Sequence, residues 1–368
     1  MNKRNEGLDL IRAVAVILVL LRHMEPCPSG GAVWWSDLVN LARCGGWIGV
    51  DLFFVLSGYL VSGLLFQEWK RQGSVSVGRF LIRRGFKIYP PLWLLLIVTV
   101  SFRWVSKGTW DSQKFAAEIL FVQNYWPGLW PHTWSLAVEE HFYLGLALLT
   151  AILLRNRKVD ENPFRNIPKL FIVLGLLCLA MRILTAYLVV KYDHRIQMFP
   201  THLRLDSLGF GVLLSWFRVY GAQHIQTRMQ RWALYLRPAS LLVLGWPFVV
   251  PIEGNQWILT LGFTLIYLAA GVWVWLCCSW NLPANNFSVR ALSRIGFHSY
   301  SIYLWHFAVQ WWLLEPMKNR LGENTWSHML LSALYILASI FVGIAVAKFV
   351  EVPVLRLRDR WFPAFVRS

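Results

Sequence analysis

A cation and an imidazole lie eleven residues apart in the first apolar segment of the chain, LDLIRAVAVILVLLRH. Eleven residues turn a helix by about 1100°, about 20° past three full turns, so Arg12 and His23 project from one face. The rise between them is roughly 16 Å. The pair thus puts a cation where an anionic cytosolic ligand can enter and a titratable base deeper in the membrane. In the structural alternative, Arg12 reaches the lipid headgroups and His23 pairs with a neighbouring helix.

A second group of cations lies in GRFLIRRGFKIYPP, residues 78–91. Arg79, Arg83, Arg84 and Lys87 precede a long apolar stretch. Arginine binds phosphate through its planar fork and lysine binds it as a point charge, so this composition suits a phosphate-bearing ligand. Lys87 follows Arg84 by three residues and shares its helix face. The alternative is that these cations only anchor the segment at the cytoplasmic surface.

Two adjacent carboxylates lie in HTWSLAVEEHFY, residues 132–143. Glu139 and Tyr143 are i, i+4 neighbours on the predicted helix. The predicted depth of Glu139 in the membrane matches that of His23. A carboxylate beside an imidazole orients the ring and raises its basicity. We therefore predict that His23 is a general base and that Glu139 orients it.

Glu139 also has a structural alternative, in which it pairs with Arg22 or Arg182 for packing. Glu140 projects about 100° away from Glu139 on a helix, so the two carboxylates are not expected to share a proton. We predict that Glu140 and Tyr143 support the site.

Further ionisable residues fall within apolar segments, where such groups usually face a cavity or a partner. GVDLFFVLSG contains Asp51, RLDSLGFG contains Arg204 and Asp206, and SYSIYLWH ends at His306. These four residues are predicted to support the site, and each has a structural alternative. The small Ser57–Gly58 step predicts a close helix packing.

No metal site is predicted. The five cysteines form no CxxC pair and no cluster with histidine, which argues against structural zinc. Phosphate-binding glycine loops, GxSxG and HExxH are absent from the sequence. Cys27 and Cys44 fall in one predicted outer loop, where they form either a disulfide or two free thiols.

The composition of the 368-residue chain indicates a membrane protein. It is 57% hydrophobic and 15% charged, with a mean hydropathy of +0.47 and a formal net charge of +17. Such a chain is too apolar for a disordered protein or a typical nucleic-acid binder. Tryptophan gathers at membrane interfaces, which fits the 22 in this chain. We predict no nucleic-acid partner.

Ten apolar segments are long enough, or nearly so, to span a membrane as helices. They predict an all-α polytopic fold in a single domain, residues 1–368, with no appended soluble domain. The predicted spans are 8–24, 47–66, 88–102, 134–153, 170–190, 205–216, 239–251, 258–278, 298–315 and 328–350.

The distribution of cations between the loops predicts the orientation. With the N-terminus inside, the inner segments carry 23 Lys and Arg and the outer loops carry 9. Cytoplasmic loops are enriched in these residues. Both termini are therefore predicted to be cytoplasmic. The positive net charge is interpreted mainly as a consequence of this orientation in the membrane.

These segments together resemble the acyltransferase-3 family of integral-membrane acyltransferases. The similarity runs through LDLIRAVAVILVLLRH, GWIGVDLFFVLSGYL, RRGFKIYPPLW, TWSLAVEEHFYL, RLDSLGFGVLL, IGFHSYSIYLWHF and FVEVPVLRLR, in the family's order. The family's arginine–ten residues–histidine pattern falls on Arg12 and His23. Its arginine–two residues–arginine pattern falls on Arg84 and Lys87, where this chain has lysine in place of the second arginine. Its glutamate falls on Glu139.

The resemblance implies transfer of an acyl group, usually acetyl from cytosolic acetyl-CoA, to a hydroxyl of a bacterial surface glycan or lipid-linked glycan. It implies a multi-pass protein of the bacterial inner membrane, in contact with membrane lipid and with no bound cofactor. Arg12, Arg83, Arg84 and Lys87 are expected to bind the donor. Direct transfer and a two-step route through an acyl-enzyme both remain open. The alternative function is transport of a glycan or lipid-linked intermediate.

Overall fold

The computed structural model of the chain describes residues 5–156, 161–221, 223–278, 280, 286–321 and 324–363. Helices and their connections account for all of these residues, and the described part contains no strand. The all-α class is therefore confirmed there. Some residues in each of several predicted loops and ends lie outside the described residues. These loops and ends are 1–7, 154–169, 217–238, 279–297, 316–327 and 351–368.

The first half of the chain forms a series of α-helices. They are α1 (Glu6–Arg22), α2 (Val33–Gly45), α3 (Ile48–Gln72), α4 (Val77–Lys107), α5 (Ser112–Ile119), α6 (Trp134–Arg155), α7 (Ile167–Leu188) and α8 (His194–Gln197).

The second half continues the bundle, and π-helical turns at Ile258–Gly262, Val309–Leu314 and Ala347–Glu351 extend some of its helices. Its α-helices are α9 (Leu205–Tyr220), α10 (Gln223–Val249), α11 (Phe263–Cys277), α12 (Phe287–Phe297), α13 (Ser299–Ala308), α14 (Glu315–Leu321), α15 (Thr325–Val346) and α16 (Val352–Trp361).

Each of the ten predicted spans coincides with a helix of the bundle. Seven helical runs in the described residues are long and apolar enough to cross a membrane. They are Val33–Gln72, Val77–Lys107, Pro131–Arg155, Ile167–Leu188, Arg231–Val249, Ile258–Cys277 and Thr325–Trp361. The protein is thus a polytopic membrane protein, while the count of ten and the cytoplasmic termini stay predictions.

The close crossing of α3 and α9 confirms the packing predicted at Ser57–Gly58. A Cβ atom on Gly58 would lie 2.0 Å from the Leu208 carbonyl oxygen, and one on Gly211 would lie 2.1 Å from the Val55 carbonyl oxygen. Only glycine at these two positions lets the backbones approach so closely. The crossing fixes α3, which carries Asp51 and Ser57, against α9.

Two buried ion pairs join the helices around this crossing. Arg182 of α7 binds Asp206 of α9 through two hydrogen bonds of 2.7 and 3.1 Å, and also donates to Thr264 of α11. Arg204, immediately before α9, binds Asp51 of α3 at 2.7 Å. All four charged side chains are at most 1% exposed. Charges buried in this way are tolerated only when they are paired.

Arg204 also packs on an aromatic face. Its guanidinium carbon lies 3.9 Å from the centroid of the Phe263 ring. This cation–π contact compensates for the Arg204 nitrogens that have no hydrogen bond among the described residues. Asp51, Arg204 and Asp206 therefore hold α3, α7, α9 and α11 together. The five cysteines are all free thiols, Cys27 and Cys44 included.

The Arg182–Asp206 pair yields a stability prediction. Arg182→Met leaves the Asp206 carboxylate buried without its partner. We expect this change to lower the free energy of unfolding by about 3–5 kcal/mol. Arg182→Met combined with Asp206→Leu should recover most of that loss, because no charge remains buried. Thermal melting of the purified protein in detergent measures both changes.

The matched control is the exposed pair of Arg165 and Glu161, joined at 2.9 Å. Arg165→Met should lower the free energy of unfolding by at most about 1 kcal/mol, because solvent screens the pair. Equal melting temperatures for Arg165→Met and Arg182→Met would contradict the scaffold role of the buried pair.

Candidate active site

A cavity of about 400 Å³ opens between α1, α3, α4, α6, α13 and α16. We call it the cationic cavity because cations dominate its ionisable lining. Its polar lining residues are Arg12, Ser57, Arg84, Lys87, Ser135, Glu139, Tyr143, Ser299, Tyr300, Tyr303 and Arg358. The structure therefore brings together residues from three predicted clusters that together span more than one hundred residues of the sequence.

Three of the four predicted donor-binding cations line the cationic cavity. Arg84 has no ion-pair partner among the described residues, and its buried Nε atom has no hydrogen bond. Lys87 forms an ion pair with Glu351 and lies 5.7 Å above the Tyr300 ring. Arg12 binds Asp9 at 2.8 Å and remains one-third exposed. Arg84 is thus the cation whose charge is least committed to the protein itself.

Arg83 lies away from the cavity. Its guanidinium binds Asp359 of α16 at 3.0 Å and donates to the Phe362 carbonyl oxygen. Consecutive residues of a helix point about 100° apart, so Arg83 and Arg84 face different neighbours. The geometry gives Arg83 the role of fastening α4 to the end of the chain's last described helix.

Glu139 binds hydroxyl groups in the cavity wall. The Tyr143 hydroxyl donates to Glu139 Oε2 at 2.5 Å, and the Ser57 hydroxyl lies 2.6 Å from the Tyr143 hydroxyl. The i, i+4 relation predicted for Glu139 and Tyr143 is confirmed. The alternative partners, Arg22 and Arg182, bind Glu253 and Asp206 instead.

Glu140 faces a different helix from Glu139. It accepts a hydrogen bond of 3.0 Å from the Tyr89 hydroxyl of α4, and its buried Oε1 has no partner within the described ranges. The two carboxylates therefore do not share a proton site, as their 100° separation predicts.

His23 lies at the end of α1, outside the set of residues that line the cationic cavity. Its Nδ1 is 2.9 Å from the Val19 carbonyl oxygen. A carbonyl only accepts, so Nδ1 carries the hydrogen and Nε2 of the neutral ring keeps a lone pair. The backbone of its own helix orients His23, and the predicted contact with Glu139 is absent from the hydrogen bonds of both residues.

The ring of His23 belongs to a cluster of three histidines. Its centroid is 5.0 Å from that of His306, and the His306 centroid is 4.7 Å from that of His132. Phe307 packs against His23 at 4.7 Å and stacks on His132 at 4.9 Å. We call His23, His132 and His306 the histidine cluster.

Each ring of the histidine cluster contacts a backbone carbonyl through one nitrogen. His306 donates to the Tyr303 carbonyl oxygen, and His132 donates to that of Leu304 at 3.0 Å. The other nitrogens, His306 Nε2 and His132 Nδ1, are buried and have no hydrogen-bond partner in the described part of the chain. Among the described residues no three His, Cys, Asp or Glu side chains have the arrangement of a metal site. The cluster thus presents lone pairs that suit a hydroxyl proton.

Helix α13 connects the cationic cavity to the histidine cluster. Tyr303 lines the cavity, and its hydroxyl donates to the His132 carbonyl oxygen and contacts the Ser135 hydroxyl, both at 2.6 Å. His306 follows Tyr303 by one helical turn, a rise of about 5 Å. Ser135 and Tyr303 therefore separate the end of the cavity from the imidazoles.

Several residues of this arrangement were not predicted from the sequence to belong to the site. They are Ser57, His132, Ser135, Tyr303 and Arg358. Three of them lie in the segments HTWSL and SYSIYLWH, directly beside predicted residues. The signal available was the three-residue spacing from Tyr300 through Tyr303 to His306, which places them on one side of a helix.

A buried glutamate holds the loop that leads into α6. Glu118 Oε1 accepts hydrogen bonds from the Trp130 amide at 3.1 Å and from the Thr133 hydroxyl at 2.8 Å. A Cβ atom on Gly128 would lie 2.4 Å from the same oxygen. Glu118 thereby fixes the segment that carries His132 and Ser135.

Comparisons with known proteins show the family to which the chain is related. A family model described as an acyltransferase domain matches residues 5–348. O-acetyltransferase OatA of Staphylococcus aureus (strain NCTC 8325 / PS 47) is 30% identical over 322 residues, and OatA of strain COL gives the same values. A provisionally named O-acetyltransferase of strain COL is 29% identical over 327 residues.

Each of these alignments covers 82% of this chain and 50% of the relative. The chain therefore spans about half the length of the curated relatives it matches. No solved structure matches the chain.

Glu118 yields a prediction for the pH dependence of stability. Burial raises the pKa of Glu118 from 4.5 to about 7, although the hydrogen bonds from Trp130 and Thr133 oppose the rise. Between these two values the folded state binds more protons than the unfolded state, so stability falls as pH increases and levels off above about pH 7. Each unit of pKa difference corresponds to about 1.4 kcal/mol.

Glu118→Gln should remove this part of the pH dependence while keeping an acceptor for Trp130 and Thr133. Melting temperatures measured from pH 5 to pH 8 test it. Asp37→Asn, at an exposed carboxylate, is the control and should keep the wild-type slope. An unchanged slope in Glu118→Gln would show that Glu118 ionises normally in the folded protein.

Proposed function

Because the chain belongs to the acyltransferase-3 family, we propose that it is an O-acetyltransferase that moves an acetyl group from acetyl-CoA to a glycan hydroxyl. The observation that carries this proposal is the cationic cavity, which ends one helical turn from the histidine cluster. An anionic donor and a hydroxyl base can thus act on one acetyl group.

The charge of the cationic cavity supports a CoA donor. Its ionisable lining comprises four cations, Arg12, Arg84, Lys87 and Arg358, and one carboxylate, Glu139. CoA carries several phosphate charges, which arginine binds through paired hydrogen bonds. Arg84 binds these phosphates most directly because, among the described residues, no carboxylate forms a direct ion pair with it.

Lys87 contributes differently from Arg84. Glu351 holds its ammonium, and Ser301 in turn donates to Glu351 at 2.7 Å. Lysine offers a point charge without the bidentate fork of arginine. Lys87 therefore supplies positive potential at the cavity wall, and Arg84 supplies the specific contact.

The acceptor hydroxyl meets the acetyl group at the histidine cluster. His23 Nε2 takes the hydroxyl proton as the acceptor oxygen bonds to the acetyl carbon. The carbon–sulfur bond breaks, and the CoA thiolate leaves and receives that proton from His23. The products are the acetyl ester and CoA, so atoms and charge balance. His306 and Phe307 hold the His23 ring in place through ring contacts.

The loop charges support the direction of transfer. The cationic cavity lies toward the end at which α1 begins, the predicted cytoplasmic side, where acetyl-CoA is made available. The histidine cluster lies toward the other end of α1. The acceptor glycan accordingly approaches from the predicted outer side of the bacterial inner membrane. The relatives named OatA are O-acetyltransferases, which favours acetyl over a larger acyl group.

Adjacent arginines provide the test of donor binding. We expect Arg84→Gln to weaken acetyl-CoA binding by about tenfold or more, the value of a lost charge-assisted hydrogen bond. Arg83→Gln is the matched comparison, and we expect less than about a threefold change because that guanidinium binds α16. Binding of radiolabelled acetyl-CoA to membranes measures both, and equal losses would contradict the assignment to Arg84.

Histidines at two positions provide the test of the base. His23→Ala should abolish acetyl transfer from labelled acetyl-CoA while acetyl-CoA binding persists, since His23 lies outside the donor cavity. His202, exposed and 3.1 Å from the Tyr125 hydroxyl, is the control, and His202→Ala should keep both activities.

Normal transfer by His23→Ala at a normal protein level would contradict the proposed mechanism. Movement of a glycan across the membrane without consumption of acetyl-CoA would favour the transporter alternative.

A further inference from the structure

We propose that a second cavity, at the outer end of α1, binds the acceptor as a neutral, hydroxyl-rich carbohydrate. The proposal rests on the O-acetyltransferase function and assigns its acceptor site. The cavity measures about 230 Å³ and lies between residues 25–29, the turn Val309–Leu314, α14 and α15. We call it the outer cavity.

The wall of the outer cavity is held by hydrogen bonds between distant parts of the chain. The Ala32 amide donates to the Thr325 hydroxyl at 2.9 Å, and the Trp35 indole donates to His328 Nδ1 at 2.9 Å. His328 Nε2 donates to the Glu25 carbonyl oxygen at 3.1 Å. The segment after α1 is thus fastened to the start of α15, and the cavity is largely formed before a ligand arrives.

Two buried polar groups of the lining have no hydrogen-bond partner among the described residues. They are Gln310 Oε1 and the Tyr335 hydroxyl, on side chains that are 8% and 3% exposed. A buried polar atom without a partner costs roughly 1–3 kcal/mol. Gln310 Oε1 needs a donor, and the Tyr335 hydroxyl can donate or accept. A ligand with several hydroxyl groups satisfies both atoms.

The ionisable lining of the outer cavity opposes an anionic ligand. Glu25 and Glu315 face it with one cation, Lys318, which lies 3.8 Å from Glu25. Gln310 Nε2 donates to Glu25 at 2.6 Å and holds that carboxylate toward the lining. Acetyl-CoA, a polyanion, is therefore directed to the cationic cavity, and the outer cavity suits an uncharged glycan.

The outer cavity adjoins the histidine cluster along two helices. Gln310 follows His306 by four residues on the helix that begins as α13, and Glu25 follows His23 by two residues. Four residues rise about 6 Å. A sugar seated against the hydrogen-bonded Gln310 and Glu25 side chains accordingly has a hydroxyl within reach of the imidazoles.

The size of the outer cavity limits what enters it. Sites for whole small molecules measure roughly 300–1,000 Å³. A cavity of about 230 Å³ accommodates one unit or one end of a glycan, while the rest of the chain remains outside. The site therefore selects a local sugar structure rather than a polymer.

The experiment uses membranes from a deletion strain that expresses the full chain. Transfer of label from acetyl-CoA to the envelope glycan of the same cells reports the complete reaction, and acetyl-CoA binding without glycan reports the donor site. We expect Gln310→Leu with Tyr335→Phe to reduce transfer at least tenfold and to change acetyl-CoA binding by less than twofold. Tyr187→Phe and Gln256→Leu, at exposed positions, are the matched controls.

A substitution at an exposed position of the outer cavity tests the site without disturbing buried packing. The Glu25 side chain is 37% exposed, so Glu25→Gln should fold normally. We expect it to raise the KM for glycan several-fold and to leave acetyl-CoA binding unchanged.

Wild-type transfer retained in both the double variant and Glu25→Gln would overturn the acceptor site alone. Loss of acetyl-CoA binding in parallel with transfer would assign these residues to the donor and overturn it equally. Absence of transfer in wild-type membranes would instead overturn the proposed function.

Discussion

The pairing of charges inside the helix bundle is the constraint on which the rest of the structure depends. Arg182 with Asp206 and Arg204 with Asp51 are almost fully buried. In a low-dielectric interior such groups persist only with a partner, so they fix the relative positions of α3, α7, α9 and α11. The small residues at the α3–α9 crossing then allow the approach that these short ion pairs require.

Besides this paired scaffold, several of the polar atoms that lack a hydrogen bond among the described residues follow one path. Arg84 Nε lies beside the cationic cavity, His132 Nδ1 and His306 Nε2 lie in the histidine cluster, and Gln310 Oε1 lies in the outer cavity. Helix α13 and its π-helical continuation contact all three regions in order. Such a π-helical segment often marks a functional site because it reorients side chains there. The path suits a reaction whose two substrates arrive from opposite sides of the membrane.

The sequence predicted the class of fold because apolar length alone limits what a membrane-embedded chain can form. It also predicted local relations correctly, such as the contact between Glu139 and Tyr143, because both lie on one helix. It did not predict that Glu139 would bind hydroxyl groups while His23 joined other histidines. Depth along the membrane normal says how far a residue is buried, but not which neighbouring helix it faces.

By itself, the sequence determined the helical class and the resemblance to the acyltransferase-3 family. These depend on composition, on helical periodicity and on short motifs, all of which are local. Only the tertiary structure decided that Arg84 faces the cavity while Arg83 faces α16, and that His132, His306 and His23 meet. Those outcomes depend on the rotation of each helix about its axis, which is set by packing between helices distant in the chain.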